Sequence, residues 1–276
     1  MTEDLIARLA RLDTGIVSDV LDEAGFFAQV PDRRIRAVTP PARFAGEAVC
    51  VRGEARIATR TEAPAEARIS AYAVDRSARP GAVIVVSTGG FEGGAFMGGL
   101  LARTLKARGC HGLVTDGLVR DGEELAALGM PVMAAGLTPI NGSRRWTPVE
   151  RDVPVALPGQ ATGAVTVRPG DLILGDTDGL VVVPRRHAEA IIAMSEELAR
   201  KEAAINAEMD RGDGREEALA RYVVEHARPG DVDDAGRQCP RRCRPAQCDE
   251  FRGREPVRPP RHARAAGPGR RRGRRR

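Results

Sequence analysis

Arg120 and Asp121 stand side by side in TDGLVRDGEEL (115–125), where a β-rich stretch, GLVTD (112–116), gives way to EELAALG (123–129), a short helical stretch with Pro131 just beyond. A strand-to-helix turn is a common address for chemistry in α/β proteins, and it is also where helix caps sit. Asp121 fits both roles. In D-G-E-E it occupies the N-cap with Glu124 three residues on, the spacing of a capping box. Arg120 does not fit a cap, because a cation ahead of a helix N-terminus opposes the dipole and calls for an anion to offset it. A carboxylate ligand held by Arg120 and by backbone N–H groups would supply one.

A glycine-rich loop, GGAFMGGLL (93–101), offers such groups. Its glycines permit close backbone approach, and a helix starting near Gly99 would present free N–H donors at Gly99, Leu100 and Leu101. Gly98, Gly99, Leu100 and Leu101 are therefore candidate substrate-binding positions, although tight strand–helix packing would use the same glycines. The loop has neither GK[ST] nor a well-placed GxGxxG, so a nucleotide is disfavoured. A third feature lies in HAEAIIAMSEELARKEAAINAEMD (187–210), a long helical stretch. At about 100° per residue, Ile191, Ser195, Leu198, Glu202, Ile205 and Met209 share one face. Glu202 is an acid within an apolar stripe, so it needs a partner or serves a site at an interface.

Absences narrow the chemistry. The two lysines, Lys106 and Lys201, lie in helical stretches beside other charges, whereas a Schiff base wants a desolvated amine. His111, His187 and His226 lack zinc-ligand spacing, and neither Cys50 nor Cys110 has a histidine partner nearby in sequence. Carboxylates and an arginine remain, with a hard divalent cation such as Mg²⁺ or Mn²⁺ held by one carboxylate, water and substrate oxygens.

The elements that must position these residues read in order. Residues 3–12 and 16–24 are two short helices, GEAVCVRG (46–53) a strand, and ARISAYAVDRS (67–77) a helix. Ala82–Val86 is an unbroken apolar run, suited to a strand covered on both faces. A helix from near Gly99 to Gly109, the strand GLVTD, a helix over 122–128 and the strand PVMAAGL (131–137) follow. AVTVRPGDLILGDTDGLVVVP (164–184) reads β–turn–β–turn–β, with PGD and TDG as the turns. This order predicts an α/β fold with a mixed β core and helices outside it, in one domain over 1–227.

Composition agrees. With 42% hydrophobic but only 3% aromatic residues, the core must be Val, Ile, Leu and Ala. No apolar run approaches a membrane span, and MTEDLIARLARLD is amphipathic without a signal-peptide core, so no membrane partner and a cytoplasmic location are expected. The net charge of +5 is uneven: residues 229–276 carry 15 arginines against 6 acids, leaving 28 basic and 32 acidic side chains before them. The acidic body excludes a specific nucleic-acid footprint. The Arg/Pro-rich tail, 228–276, lacks apolar periodicity and is expected to be disordered. Its Cys239, Cys243 and Cys248 lack a fourth zinc ligand at suitable spacing.

LDTGIVSDVLDEAG (12–25), GGAFMGGLLARTLKARGCHGLVTDGLVRD (93–121) and VRPGDLILGDTDGLVVVP (167–184) together resemble the RraA-like family, in the family's order, over roughly residues 5–210. That family includes the regulator of ribonuclease activity A and class II 4-hydroxy-4-methyl-2-oxoglutarate/4-carboxy-4-hydroxy-2-oxoadipate aldolases. The resemblance implies a single-domain αββα sandwich of the swivelling β/β/α type, assembled as a homotrimer or hexamer with sites between subunits. It implies a metal-dependent lyase that releases pyruvate from a 2-oxo acid such as 4-hydroxy-4-methyl-2-oxoglutarate or oxaloacetate. Arg120 would then bind the pyruvate part, Asp121 would hold the metal, and the Leu100 and Leu101 amides would take the carboxylate. Glu202 from a neighbouring subunit would act on a water at the metal. The aldolases carry D-x20-R-D, whereas this chain has Gly99 at the first position, leaving Asp116 or Glu92 as acids that could take its place. The alternatives are a non-catalytic regulator binding a ribonuclease or another partner, and a relative that dehydrates a sugar acid.

Overall fold

Ala82–Ser87 is buried at every residue, which a strand achieves only when both of its faces are covered. The computed structural model describes residues 2–40, 43–56 and 72–226, all within the unit Met1–Ala227. The tail over 228–276 and residues 67–71 of the expected helix lie outside the described residues.

Along the chain, α1 (Thr2–Leu9) and α2 (Thr14–Glu23) precede the short β1 (Arg36–Ala37) and the long β2 (Phe44–Ala55). Next come α3 (Ala73–Ser77), β3 (Ala82–Ser87), β4 (Ala95–Met97), α4 (Gly99–Ala107), β5 (Gly112–Thr115), β6 (Leu118–Val119) and α5 (Gly122–Leu128). The second half holds β7 (Val132–Ala134), β8 (Gly136–Leu137), β9 (Trp146–Arg151), β10 (Val155–Pro158), β11 (Ala164–Val167), β12 (Leu172–Gly175) and β13 (Leu180–Val183). A 3₁₀ turn, Arg185–His187, leads into α6 (Ala188–Asp210) and then α7 (Arg215–His226).

The main sheet has eight strands in the order β1-β7-β5-β3-β2-β12-β13, with β9 also on β2. Its centre, β2-β3-β5-β7, is parallel, and the strands around it are antiparallel. Alternation along the strands sends side chains to opposite faces. Val49, Val51, Ile84, Val86 and Leu113 pack against α3, α4 and α5. Ala45, Leu172, Leu174, Val181 and Val183 meet α1, α2 and α6 on the same side. The other face, with Ala48, Cys50, Val83, Val85 and Val114, is covered by Val155, Leu157, Val165 and Val167 of the β10–β11 hairpin. The layers therefore run β/β/α, and the α/β sandwich with a mixed β core is present as the sequence implied.

GLVTD, read as a strand, is followed by a change of sheet, and PVMAAGL, read as a single strand, is divided between sheets. GLVTDGLV supplies β5 to the main sheet and β6 to a separate three-stranded parallel sheet, β4-β6-β8. PVMAAGL divides likewise into β7 and β8. The Ala135 N–H donates to the Gly117 carbonyl at 3.0 Å, so both crossings happen side by side. Asp116 fastens this level, its buried carboxylate accepting the Thr88 N–H, the Thr88 hydroxyl and the Gly90 N–H. β9 and β10 were not anticipated from sequence. Within β9, Trp146 lies over Gly53 of β2, where a Cβ would come within 1.9 Å of the indole.

The GD.DG segment also has a structural task. Asp176 lies in the β12–β13 turn and caps α2 from a distance: its carboxylate accepts the Thr14 N–H at 2.9 Å and the Thr14 hydroxyl at 2.7 Å, plus the Asp178 N–H. Burial pushes its carboxyl up, but these hydrogen bonds and nearby Arg43 outweigh that and hold it below the ordinary 3.8. A depressed folded-state value means stability present above the unfolded value and lost as pH falls through the folded one. We expect Asp176→Asn to cost about 1–3 kcal/mol at neutral pH. Denaturant melts of native and variant chains should converge as the pH is lowered below 3.8.

Candidate active site

The turn after β6 is held by the small sheet. Met97 pairs with Val119, the Arg120 N–H donates to the Met97 carbonyl at 3.0 Å, and the Thr138 N–H donates to the Val119 carbonyl. Residues 97–99 and 119–121 are thereby brought together across 22 positions of sequence. The site grows from this crossing.

Asp121 adopts the left-handed conformation, with φ 62° and ψ 41°. Few non-glycine residues do so, and aspartate is among those that tolerate it. The conformation turns the side chain away from its own helix. Asp121 makes no cap hydrogen bond to α5, and Oδ2 instead accepts the Gly99 N–H of α4 at 2.9 Å. The capping box does not form, because Glu124 is also drawn away, pairing through Oε1 with Arg103 Nε at 2.7 Å.

Gly98 and Gly99 make room for this arrangement. A Cβ on Gly98 would come within 2.4 Å of Asp121 Oδ2 and 3.0 Å of Arg120 Cγ and Nε. One on Gly99 would lie 2.0 Å from Glu124 Oε2. Arg120 Nε stands 3.6 Å from Asp121 Oδ2, and both side chains are part-exposed. No acceptor within hydrogen-bond distance faces the Arg120 guanidinium among the described residues. Asp121 Oδ1 is similarly open. At the α4 N-terminus the Gly99 N–H is already taken by Asp121, which leaves those of Leu100 and Leu101 for a ligand. Leu100 itself is 84% exposed.

Arg120, Asp121 and Gly98–Leu101 thus converge, while Glu202 does not join them in one protomer. It is exposed on α6, whose contacts are with α1, α2 and α7. The stripe it belongs to is covered only at its start: Ile191 and Ser195 are buried, whereas Met209 is 38% exposed. Of the acids considered as replacements at Gly99, Asp116 has its oxygens engaged by Thr88 and Gly90, and Glu92 is exposed.

The donor chemistry suits a hard cation. Asp121 Oδ1 is an open carboxylate oxygen beside a cationic side chain and helix amides, and such cations keep several waters rather than a full set of protein ligands. No group of three or more His, Cys, Asp or Glu able to hold a metal occurs among the described residues. Burial, with a smaller push from Asp171 and Asp152, raises the Cys50 thiol to about 12, and burial raises Cys110.

The RraA-like family, described as Aldolase/RraA, matches residues 14–182, more than half of the chain. The chain belongs to the RraA-like family. Its relatives include a Halalkalibacterium halodurans protein named "Putative 4-hydroxy-4-methyl-2-oxoglutarate aldolase", 33% identical over 115 residues, which are 42% of this chain and 52% of that protein. An uncharacterized Methanocaldococcus jannaschii protein is 36% identical over 111 residues, 40% of this chain and 50% of the relative. The chain thus spans about half the length of the curated relatives it matches. Among solved structures, an uncharacterized Pseudomonas syringae protein superposes with TM-score 0.67 at 25% identity, covering 79% of this chain and 98% of that one. Streptomyces coelicolor RraAS2, described as an unusual member of the RNase ES inhibitor RraA protein family, gives TM-score 0.60 at 30% identity, covering 72% and 95%. No described helix of this RraA-like chain is long and apolar enough to cross a membrane.

The RraA-like turn can be tested through its backbone strain. Asp121→Gly and Asp121→Ala both remove the carboxylate, but only alanine must bear the left-handed conformation. We expect Asp121→Ala to be less stable than Asp121→Gly by about 1 kcal/mol in chemical denaturation.

Proposed function

We propose that this chain is a divalent-metal-dependent lyase acting on a 2-oxo acid with release of pyruvate. 4-Hydroxy-4-methyl-2-oxoglutarate and oxaloacetate are the substrates to try first. The observation that carries the reading is the Asp121 carboxylate, turned back by its left-handed backbone beside Arg120 with one oxygen open. A family relative bearing an aldolase name supports the reaction class.

In this reading Asp121 holds Mg²⁺, Mn²⁺ or another divalent cation, which when bound supplies Lewis acidity toward the oxo acid's oxygens. The Leu100 and Leu101 N–H groups take the substrate carboxylate, helped by the α4 dipole. The guanidinium of Arg120 lies where negative charge develops on the enolate oxygen as the C–C bond breaks. Gly98 and Gly99 leave room for the Asp121, Arg120 and Glu124 side chains at the start of α4. Proton transfer falls to Glu202 of a neighbouring copy, so the working unit is a homotrimer or hexamer. The exposed Leu100, Leu137 and Ile140, three large apolar side chains in the segments around the site, support a second copy covering it.

A second reading, a regulator acting on a ribonuclease, is favoured by one observation. RraAS2, described within an RNase inhibitor family, shares 30% identity and the fold. Dehydration of a sugar acid would use the same Arg120 and Asp121 and differs in product.

Pyruvate release measured with Mg²⁺ and with EDTA separates these readings. We expect turnover that EDTA abolishes, and Asp121→Ala should lower kcat/KM by about a hundredfold or more. Glu202→Gln should lower kcat with little change in KM, and light scattering should find more than one copy. A folded oligomer with no metal-dependent turnover on either substrate would sink the lyase assignment for those substrates and direct attention to partner binding.

A further inference from the structure

One cation at the site stands outside the proposed chemistry. Arg103 lies on α4 one turn after Leu100, with its side chain 59% exposed. Glu124 steers it: Oε1 accepts from Arg103 Nε at 2.7 Å, while Oε2 of the same carboxylate lies 2.0 Å from where a Cβ on Gly99 would stand. The guanidinium is thereby drawn back toward the first turn of α4, the direction in which helical side chains already lean. Among the described residues Arg103 donates a hydrogen bond through Nε alone, which leaves its Nη1–Nη2 edge open. That edge is the planar fork that matches a carboxylate. A part-exposed ion pair adds little stability, so the tie between α4 and α5 does not by itself account for an arginine here.

Charge balance points the same way. Arg103 and Arg120 offset Asp121 and Glu124, so a divalent cation would leave the site with its own two positive charges in surplus. A 2-oxo acid with one carboxylate neutralises half of that surplus, and one with two carboxylates neutralises all of it. Along the helix axis Arg103 stands about 4.5 Å beyond Leu100, a separation that a five-carbon dicarboxylate spans.

Resting on the lyase reading, we propose that Arg103 is the specificity-determining residue of this site, its Nη1–Nη2 edge taking the second carboxylate of a five-carbon 2-oxo acid whose first carboxylate lies on the Leu100 and Leu101 amides. The placement sorts the two candidate substrates by their chemistry. In 4-hydroxy-4-methyl-2-oxoglutarate the C3–C4 bond breaks, the 4-hydroxyl gives its proton to the base and becomes a carbonyl, and the electron pair passes to C3, which takes up a proton. The C5 carboxylate keeps its charge throughout, so Arg103 holds substrate and transition state equally. In oxaloacetate the second carboxylate is itself the leaving group. The C3–C4 pair passes to C3, which takes up a proton, and CO₂ departs without charge. There Arg103 holds the ground state more than the transition state and lends nothing to the chemical step.

Isothermal titration of the full chain with MgCl₂ present compares 2-oxoglutarate, an unreactive five-carbon dicarboxylate, with pyruvate, which lacks the second carboxylate. We expect Arg103→Gln to weaken 2-oxoglutarate binding by about tenfold and to leave pyruvate binding within about twofold of native. In turnover the variant should raise KM for 4-hydroxy-4-methyl-2-oxoglutarate about tenfold at unchanged kcat. For oxaloacetate its kcat and KM should rise together, with kcat/KM within about threefold of native. Unchanged 2-oxoglutarate binding in the variant, or an equal loss for both ligands, would overturn the role of Arg103 while native turnover keeps the lyase reading. Selective loss of 2-oxoglutarate binding, with neither substrate turned over by the native chain, would overturn the lyase reading and keep Arg103 as the second-carboxylate contact. A native chain that binds neither compound overturns both. Should Arg103→Gln not fold, Arg103→Lys decides the matter, since it keeps the charge without the fork and should weaken 2-oxoglutarate but not pyruvate.

Discussion

The buried carboxylate of Asp116 ties the end of β3 to the end of β5, accepting from Thr88 and Gly90 where the chain leaves the main sheet. Everything in the site hangs from that departure. A parallel strand buried on both faces cannot simply run on into solvent, because its backbone groups would lose their partners. Here β5 and β7 stop together, the Ala135 N–H donates to the Gly117 carbonyl at the crossing, and β6 and β8 resume pairing in a second sheet. The second sheet sets β4 beside β6. It thereby fixes the start of α4 against the Arg120–Asp121 turn.

Local strain then orients the chemistry. An aspartate in the left-handed region carries a conformational cost of about 1–3 kcal/mol, borne here by the Gly99 N–H···Oδ2 bond and by pairing on both sides of the turn. The gain is direction. A side chain that would ordinarily cap its own helix points instead at the neighbouring helix, next to the Arg120 guanidinium. Gly98 and Gly99 are part of the same device, since a Cβ on either would occupy the space that Asp121, Arg120 and Glu124 now share.

Family membership fits this division of labour. The segments that carry the family resemblance fall on the crossing, the α4 turn and the β12–β13 hairpin, and several of their acids are structural: Asp116 pins the crossing and Asp176 caps α2 through Thr14. Asp171 accepts the Arg168 and Arg185 N–H groups and holds the turn before β12. One scaffold can therefore carry an aldolase-named relative and an RNase-inhibitor relative alike. At positions 98–103 and 120–124 the carboxylates of Asp121 and Glu124 lie over Gly98 and Gly99.

By itself the sequence determined the elements whose period and punctuation are local. The unbroken Ala82–Val86 run, the helix from Gly99, the 122–128 helix before Gly129, and the PGD and TDG turns were all legible, because each depends on a few adjacent residues. Arg120, Asp121 and the Gly98–Leu101 loop were singled out for the same reason. Only the tertiary structure decided how the stretches 112–119 and 131–137 divide between two sheets, since pairing partners are set by contacts distant in sequence. It also decided the fate of two acids. D-G-E-E spells a capping box, yet a left-handed Asp121 and an Arg103 lying 21 residues before Glu124 pull both carboxylates onto α4. No local pattern encodes that choice, because the competing partners meet only after the small sheet has formed.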